Sequence, residues 1–420
     1  MSSAFSGQAG TTAVLLAATA APALLTAGVS TVAPLLLSDL DLTRAEFGAF
    51  AVVLFSVTAV LSIPFGRAAD RIDYRLGLPG VYVLVTAGVL VAATSQNMVG
   101  LLVAGALVGA ALAAVGPITN RVVGILGAPA RRGAILAAKQ SGVQVAQATA
   151  AIMCPLIATA VTWRMGLASL VVPLLVMFTA TLLWARPWTG SDARIDYAKR
   201  VTHLAEPPVR PTRPRLFVIV LSLYAILSGF TFQSVLLGLP LFAHDALGFD
   251  LKTAGYTLLV LGVAGFASRI GWGILTDRWG RTRGPLILTA VLSLVGIAAL
   301  TGASVTGEVW MVWAGAAVFG ASANAVTVLL AAAVLRHHEL SSVGTISGVI
   351  SVSTFASFAA GPLVFGVVAD RLGYNGAWMM LFIVQALACL TPLLLRRRRV
   401  PSQSAPRATS RGASTLSLAP

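Results

Sequence analysis

Three cations lie inside long apolar stretches of the sequence, namely Arg121, Lys139 and Arg269. Each stands about six to eight residues from one end of its stretch, which is about 9 to 12 Å along a helix. A cation at the middle of a membrane-spanning helix costs about 2.5 to 3.5 kcal/mol on insertion scales. The stretches contain no acid to neutralise the charge. Each cation therefore binds an anion, extends its long side chain to the membrane surface, or bonds carbonyl groups at a helix end.

A polar stripe follows Lys139. Gln140, Gln144 and Gln147 fall within about 60° of one another on a helix of 3.6 residues per turn, so they share one face. Such a stripe is not expected to face lipid. It indicates either the wall of a polar cavity or hydrogen bonds between helices, and the sequence leaves both readings open.

The composition shows what surrounds these polar residues. Of the 420 residues, 57% are hydrophobic and 10% are charged, and the mean hydropathy is +0.88. Because soluble domains contain about 25% charged residues, the chain is predicted to be an all-α polytopic membrane protein. A transmembrane helix needs about 20 apolar residues. Twelve such spans are predicted near residues 13–37, 46–66, 78–95, 98–126, 134–160, 165–186, 216–243, 253–275, 284–303, 308–335, 342–368 and 376–395.

Lysine and arginine residues are distributed unevenly between alternate loops. With the N-terminus in the cytoplasm, the cytoplasmic segments carry 22 of these residues and the outer loops carry 4. Because cytoplasmic loops hold the excess of positive charge, we expect a multi-pass protein of the plasma (inner) membrane with both termini cytoplasmic. The net charge of +15 then reflects the two sides of a membrane, and no nucleic-acid partner is expected.

Two landmarks repeat at the same separation along the chain. Gly66 and Gly273 each precede an arginine-rich loop, Pro155 and Pro362 lie late in spans five and eleven, and both pairs are 207 residues apart. This repeat predicts two six-helix halves with a binding site between them. The predicted divisions are a first half at 1–186, a cytosolic linker at 187–214, a second half at 215–395 and a disordered basic tail at 396–420.

The loop after span eight carries a family motif. The pattern G-x-x-x-D-R-x-G-R-x-R is met in full by Gly273, Asp277, Arg278, Gly280, Arg281 and Arg283. After span two it is met in part, by Gly66, Asp70, Arg71 and Arg75, with Asp73 where glycine is usual. Over essentially its whole length the chain resembles a secondary transporter of the major facilitator superfamily. The resemblance implies alternating access between two halves, with the motif residues forming a latch on the cytoplasmic side.

The resemblance also ranks the three cations. Arg269 stands four residues before Gly273, where arginines look like substrate ligands in the organic-anion and nitrate branches of the family. A rigid guanidinium suits bidentate capture of a carboxylate, so Arg269 ranks first, Arg121 second and Lys139 third. The Lys-Gln-Ser-Gly run at 139–142 is similar to span five of prokaryotic transporters for small anions. The expected substrate is therefore a small organic or inorganic anion, with the three glutamines as further contacts.

Two other functions stay open. A proton-coupled multidrug exporter would use an aromatic cavity, for which span seven offers Tyr224, Phe230 and Phe232, and an intramembrane acid, which the spans lack. A transport-inactive sensor would carry a signalling domain, and the linker and tail are too short to be one. The sequence has no Walker A loop and no catalytic or metal-binding cluster. We therefore expect no enzyme activity, metal or cofactor, and a monomer that functions in the lipid bilayer.

The coupling of transport to an ion has few candidate groups. Asp39, Asp41 and Glu46, at the predicted outer ends of spans one and two, are the nearest groups to a proton acceptor. The alternatives are exchange of one anion for another and a proton that travels on the substrate.

Overall fold

The computed structural model describes residues 2–69, 73–126, 135, 138–184, 215–279, 283–337 and 340–395. Within these ranges the chain is helical apart from short turns and contains no strand, which confirms the predicted all-α class. The predicted linker at 187–214 and tail at 396–420 lie outside the described residues. So do Asp70, Arg71, Gly280 and Arg281 of the two signature loops.

The helices form twelve spans. Eleven described helical stretches are long and apolar enough to cross a membrane, and the last of them, Ile346–Leu394, contains 49 residues. At about 1.5 Å per residue it is more than twice as long as a hydrocarbon core of about 30 Å. The chain turns within it at Gly373, where φ is 72°, so this stretch supplies spans eleven and twelve.

The spans have the following bounds in chain order. Span one comprises Ser2–Thr31 and Ala33–Leu40, span two Arg44–Ala69, span three Tyr74–Thr94, span four Met98–Leu126, span five Gly142–Ala160 and span six Trp163–Ala168 with Val171–Trp184. Span seven is Arg215–Asp245, span eight Leu251–Trp279, span nine Arg283–Thr306, and span ten Val309–Ala323 with Val326–His337. Spans eleven and twelve are the two parts of Leu340–Leu390, followed by the short 3-10 helix Thr391–Leu394.

Apolar segments of this length become helices in a bilayer because every backbone N–H and C=O then finds a partner within its own segment. Polar side chains inside the spans also bond to the backbone. Thr58 Oγ1 donates to the Leu54 carbonyl oxygen at 2.8 Å, and Thr119 Oγ1 donates to that of Val115 at 2.6 Å. These hydrogen bonds allow hydroxyl groups to lie within an apolar span without an unsatisfied donor.

The bundle has two ends, because successive spans run in opposite directions. We name the end that carries Arg44, Asp245 and Gly373 the Arg44 end, and the opposite end, with Gly66 and Trp279, the Gly66 end. The loop charges predict that the Arg44 end faces outward. This orientation stays a prediction.

Spans two and eleven meet through a glycine and a proline, and spans eight and five meet in the same way. A Cβ built on Gly48 would lie 2.6 Å from the carbonyl oxygen of Pro362. A Cβ built on Gly255 would lie 2.7 Å from Cγ of Pro155. Gly48 and Gly255 are 207 residues apart, as are the two prolines. The sequence repeat is therefore also a repeat of contacts, while the domain limits given above stay predictions.

The apolar core lies where the first six spans meet the last six. One cluster of buried side chains includes Leu24 and Phe50 from the first six spans and Leu236 and Phe365 from the last six. Large apolar side chains such as Ile383 are instead exposed on the outside of the bundle. This distribution suits a bundle surrounded by lipid, and it leaves the buried polar residues as the candidates for a site.

Candidate functional site

A small cavity lies among spans seven, eight, ten and eleven. Its volume is about 40 Å³, which is room for a few water molecules or a small ion, since one water needs about 10 to 15 Å³ on this measure. Its polar and aromatic lining includes Ser228, Phe232, Arg269, Asn324, Thr327 and Thr354. The cavity thus combines one positive charge with hydroxyl and amide groups.

Arg269 reaches from span eight to span five. Its Nη1 donates a hydrogen bond to the main-chain carbonyl oxygen of Gln140 at 2.7 Å. Its Nε is buried and has no hydrogen-bond partner, and no described carboxylate pairs with the guanidinium. Because an arginine offers five donors in a fixed plane, this guanidinium retains both charge and donor capacity for an anion.

A break at the start of span five provides the carbonyl that Arg269 binds. The amide of Gln144 donates to the Ser141 carbonyl oxygen at 3.1 Å, one residue closer than in a regular α-helix. The Gln140 carbonyl is thereby left for another donor. Gly142 lets span one press against this break, because a Cβ there would lie 2.2 Å from a main-chain oxygen of span one.

Two of the three predicted glutamines face the last six spans. Gln144 and Gln147 are buried, and Nε2 of Gln144 donates to Oδ1 of Asn324 at 2.7 Å. Oε1 of each glutamine is buried without a hydrogen-bond partner among the described residues, whereas the Gln140 side chain is exposed. The stripe therefore makes an interhelical hydrogen bond and also leaves polar atoms that a bound solute or water would satisfy.

Asn324 was not predicted from the sequence. It is a single amide inside the apolar span ten, so no periodicity marks it. Asn324 stands where span ten is interrupted, between Ala323 and Val326. It packs against Gly265 of span eight: a Cβ built on Gly265 would lie 2.3 Å from Nδ2 of Asn324. Only the packing of spans five, eight and ten brings this amide to Arg269 and Gln144.

Lys139 and Arg121 lie in the first six spans. Nζ of Lys139 donates to Oγ1 of Thr119 at 2.9 Å and to Oδ1 of Asn120, both on span four, and Thr19 of span one donates to the Lys139 main-chain oxygen. Lys139 is 2% exposed, and Arg121 is partly buried. Of the three predicted cations, Arg269 is the one found in the cavity lining of the described chain.

The predicted latch residues lie at the Gly66 end. Around Gly66 no heavy atom stands within 4 Å of where a Cβ would be, so this glycine has open space beside it. Gly273, Asp277 and Arg278 continue the helix of span eight, which ends at Trp279. The latch itself stays a prediction.

Four side chains tie the two sets of spans together at the Arg44 end. Arg44 Nη2 pairs with Asp245 Oδ2 at 2.8 Å, and Nη1 pairs with Asp370 Oδ1 at 3.4 Å. Arg44 Nε donates to the Tyr374 hydroxyl at 2.9 Å, and that hydroxyl donates to Asp245 at 2.8 Å. We name these four residues the Arg44 clasp; it links span two to span seven and to both sides of the turn between spans eleven and twelve.

Backbone contacts support the Arg44 clasp. The Asp370 carboxylate also accepts the N–H groups of Arg44 and Ala45, where it complements the positive end of the span-two helix. Ser30 of span one donates to the carbonyl oxygen of Leu236 in span seven at 2.7 Å. The Arg44 end is therefore closed in this structure by direct contacts between the first six and the last six spans.

Aromatic rings fill the contact between spans two and eleven near the middle of the bundle. The Phe55 ring centroid lies 6.3 Å from that of Phe355 and 5.1 Å from that of Phe358. Phe358 also lies 5.9 Å from Phe232, which lines the cavity. Edge and offset contacts of this kind are favourable for aromatic pairs, so this contact is apolar where that of spans five and eight is polar.

Comparison with known proteins gives a family and a fold. The family model of the Major Facilitator Superfamily matches residues 15–357 and 267–419. No curated protein sequence matches the chain. Among solved structures, the chain is similar to a bacterial homologue of the human lysosomal transporter Spinster, crystallised in an inward-facing and occupied conformation. The TM-score is 0.67 at 14% sequence identity, over 91% of this chain and 95% of that chain, which is a likeness of fold.

Proposed function

The chain belongs to the Major Facilitator Superfamily and is therefore a multi-pass membrane transporter, and we propose that its substrate is a small anion bound at Arg269. In this proposal the protein works as a secondary transporter in the plasma (inner) membrane, with the Arg44 end facing outward. The anion would lie between the first six and the last six spans and become accessible from one side at a time.

The observation that carries the proposal is the charge at Arg269. A guanidinium that is partly buried is costly unless it is paired, and the described residues offer that of Arg269 one neutral carbonyl and no carboxylate. A substrate that supplies the missing negative charge would make charge-assisted hydrogen bonds. Arg269 lies at the contact of spans five and eight, and this position between the first six and the last six spans supports a role in substrate binding.

The neighbouring amides suit the same substrate. Asn324 and Thr327 line the cavity together with Arg269. The buried Oε1 atoms of Gln144 and Gln147 have no hydrogen-bond donor among the described residues. A hydrated anion, or one that carries a hydroxyl or acid proton, would satisfy both kinds of group. The small volume of the cavity favours a small anion over a bulky one.

Uptake into proteoliposomes tests the substrate class. Purified protein would be assayed with labelled nitrate, cyanate and formate, with and without a pH gradient, for saturable uptake. We expect at least one of these anions to be transported. Arg269→Gln should lower its rate at least tenfold, because hydrogen bonds to charged groups contribute about 1.5 to 3 kcal/mol.

The matched control is Arg371→Gln, which removes an exposed arginine between spans eleven and twelve and should leave the rate unchanged. Normal membrane insertion of both variants is checked by gel filtration in detergent. Full activity of Arg269→Gln on the transported anion would reject the site.

An exporter of hydrophobic compounds is the second candidate, because one wall of the cavity is aromatic. Phe232 and Phe358 line it, and Phe55 packs against Phe358. Drug-sized pockets have volumes of about 300 to 1,000 Å³, far above the 40 Å³ of this cavity, which favours the small anion. Ethidium transport that persists in Arg269→Gln would favour the exporter.

A further inference from the structure

An anion that enters against a negative-inside potential moves more easily when a proton crosses with it, because the pair carries no net charge. The carboxylates at the Arg44 end suit this task poorly. Asp39 accepts hydrogen bonds from Arg164 Nη1 at 2.6 Å and from Trp163 Nε1 at 3.1 Å. The hydrogen bond from Arg164, and to a smaller extent that from Trp163, holds the pKa of Asp39 below its usual value. Asp39 therefore stays ionised at neutral pH. The carboxylates of the Arg44 clasp are already paired with an arginine.

We propose that Lys139 carries the coupling proton and alternates between an ammonium ion and a neutral amine in each transport cycle. The proposal rests on the proposed function, anion transport through Arg269. The amine is buried, and its partners in the described chain are neutral, the Thr119 hydroxyl and the Asn120 carbonyl oxygen. Burial without a carboxylate partner favours the neutral form of an amine, which is why buried lysines serve as proton acceptors.

The spans around Lys139 also carry charged groups. Span four contributes Arg121, and span eight contributes Arg269, whose guanidinium bonds the residue directly after Lys139. Span three begins with Asp73, which caps its own helix, and Tyr74, which packs on the neighbouring apolar cluster. Among the described residues of span one the titratable one is Asp39, which pairs with Arg164 at the opposite, Arg44 end. Lys139 forms no ion pair with any of these described groups, so no described carboxylate holds it as an ammonium ion.

The substrate site and Lys139 are joined through one residue. Arg269 holds the carbonyl of Gln140, and Thr19 holds the carbonyl of Lys139, so the start of span five is fixed from both sides. An anion on Arg269 would place a negative charge beside the start of span five, and a negative charge there would favour the ammonium form of Lys139. By linkage, protonation of Lys139 must then strengthen anion binding by the same factor.

The proposed cycle balances in charge. The neutral amine takes one proton from water on the side where the anion enters, and the ammonium and the bound anion cross together as a neutral pair. On the other side the anion dissociates from Arg269, the ammonium returns its proton to water, and the amine is neutral again. The side chain of Gln140, the residue directly after Lys139, is exposed.

Separating exchange from proton-driven uptake tests the proposal. Wild type, Lys139→Met and the control Lys252→Met, a lysine at the Arg44 end, would be reconstituted with internal pyranine as a pH indicator. The probe is whichever of nitrate, cyanate and formate the wild type transports. Exchange is measured at equal pH on both sides, and net uptake is measured with an inward proton gradient.

We expect Lys139→Met to keep exchange within about threefold of wild type, to lose gradient-driven accumulation at least tenfold, and to give no pyranine signal. Lys252→Met should behave as wild type. Proton-driven uptake that persists in Lys139→Met would overturn the coupling role and leave the Arg269 site intact. Wild type that exchanges anions without moving protons would overturn it as well. Failure of wild type to move any of the three anions would instead reject the proposed function itself.

Loss of exchange in Lys139→Met would call for Lys139→Arg, which keeps the donors but cannot release a proton at working pH. Exchange without proton coupling in that variant supports the proposal, and exchange with coupling overturns it. If neither variant exchanges anions, the deciding measurement is the number of protons that purified wild type takes up for each anion it binds. A value near one proton per anion supports the proposal, and a value of zero overturns it.

Discussion

Two contacts between the first six and the last six spans share one backbone plan and differ in chemistry. At spans two and eleven, Gly48 packs on Pro362 and the middle is filled by phenylalanine rings. At spans eight and five, Gly255 packs on Pro155, and the contact further towards the Gly66 end carries Arg269 and buried amides. The repeated glycine and proline determine how closely the helices approach, and the side chains between them determine what the contact can do.

The difference separates two tasks. Buried polar groups cost free energy unless they are bonded, so unsatisfied amide and guanidinium atoms are expected where a ligand completes them. Such unsatisfied atoms occur at the contact of spans five and eight. The contact of spans two and eleven is filled by aromatic rings, and the Arg44 clasp lies at its end. One contact therefore suits binding and the other suits closure.

The largest expected effect comes from replacing the glycine through which each of the two contacts is made. Gly48→Val and Gly255→Val would each place a branched side chain against a neighbouring helix, where a Cβ already has atoms within 2.5 to 2.7 Å. We expect both variants to lower anion exchange in proteoliposomes more than tenfold. Gly80→Ala, which meets no atom within 4 Å, is the control. Normal exchange in either valine variant would show that the two contacts are not equivalent.

A change confined to the polar contact should have the next largest effect. Arg269→Lys keeps the charge but loses the planar donors that reach both the Gln140 carbonyl and an anion, so we expect about a tenfold loss of exchange. Phe55→Leu, in the aromatic contact of spans two and eleven, should change exchange at most about twofold. Equal losses in the two variants would remove the distinction between a binding contact and a closing contact.

Breaking the Arg44 clasp should have a smaller effect. Its ion pairs are partly exposed, and such pairs contribute about 0.2 to 1 kcal/mol each. We expect Arg44→Gln to shift the distance between spin labels at Asn97 and Asp250 towards longer values and to change exchange about two- to fivefold. An unchanged distance distribution would show that backbone packing alone closes this end.

The smallest effect concerns an ion pair that only the first six spans possess. Asp39 pairs with Arg164, whereas 207 residues later Arg371 is exposed and Ala246 replaces the acid. Because the pKa of Asp39 is lowered from 3.8 in the folded protein, its stabilisation is present above pH 3.8 and is lost as pH falls through the lowered pKa. Wild type should unfold at a higher temperature than Asp39→Asn at pH 6, and the gap should close towards pH 3. A gap that is independent of pH would contradict the ion pair.

The spans were predictable because hydropathy is a local property of the sequence. Met98–Leu126 begins and ends where the apolar run does. The sequence also predicted two spans, at 342–368 and 376–395, where the structure has one 49-residue helical stretch with a turn at Gly373. Arg269 stands out in the sequence because an arginine in an apolar span is costly wherever it lies. The structure places it in the cavity lining, and its role as a substrate ligand stays a prediction.

The partners of these residues were not predictable. Arg44 meets residues 201, 326 and 330 positions away, and no local pattern records such a pairing. Asn324 becomes a partner of Gln144 only after spans five and ten pack. The free carbonyl of Gln140 depends on a one-residue change in hydrogen bonding at Ser141, which composition does not mark.

The two glycine–proline contacts have a geometric consequence. Two points of close approach define a line, and rotation about that line is the motion that leaves both contacts intact. Gly48 and Gly255 each lie four residues inside the Arg44 end of their helices, whereas Gly66 lies 18 residues further along span two, about 27 Å away at 1.5 Å per residue. A rotation of about 10° around this line would therefore displace the Gly66 end by about 5 Å while the Arg44 end moves by about 1 Å, which is the geometry of a lever with its fulcrum near the closed end.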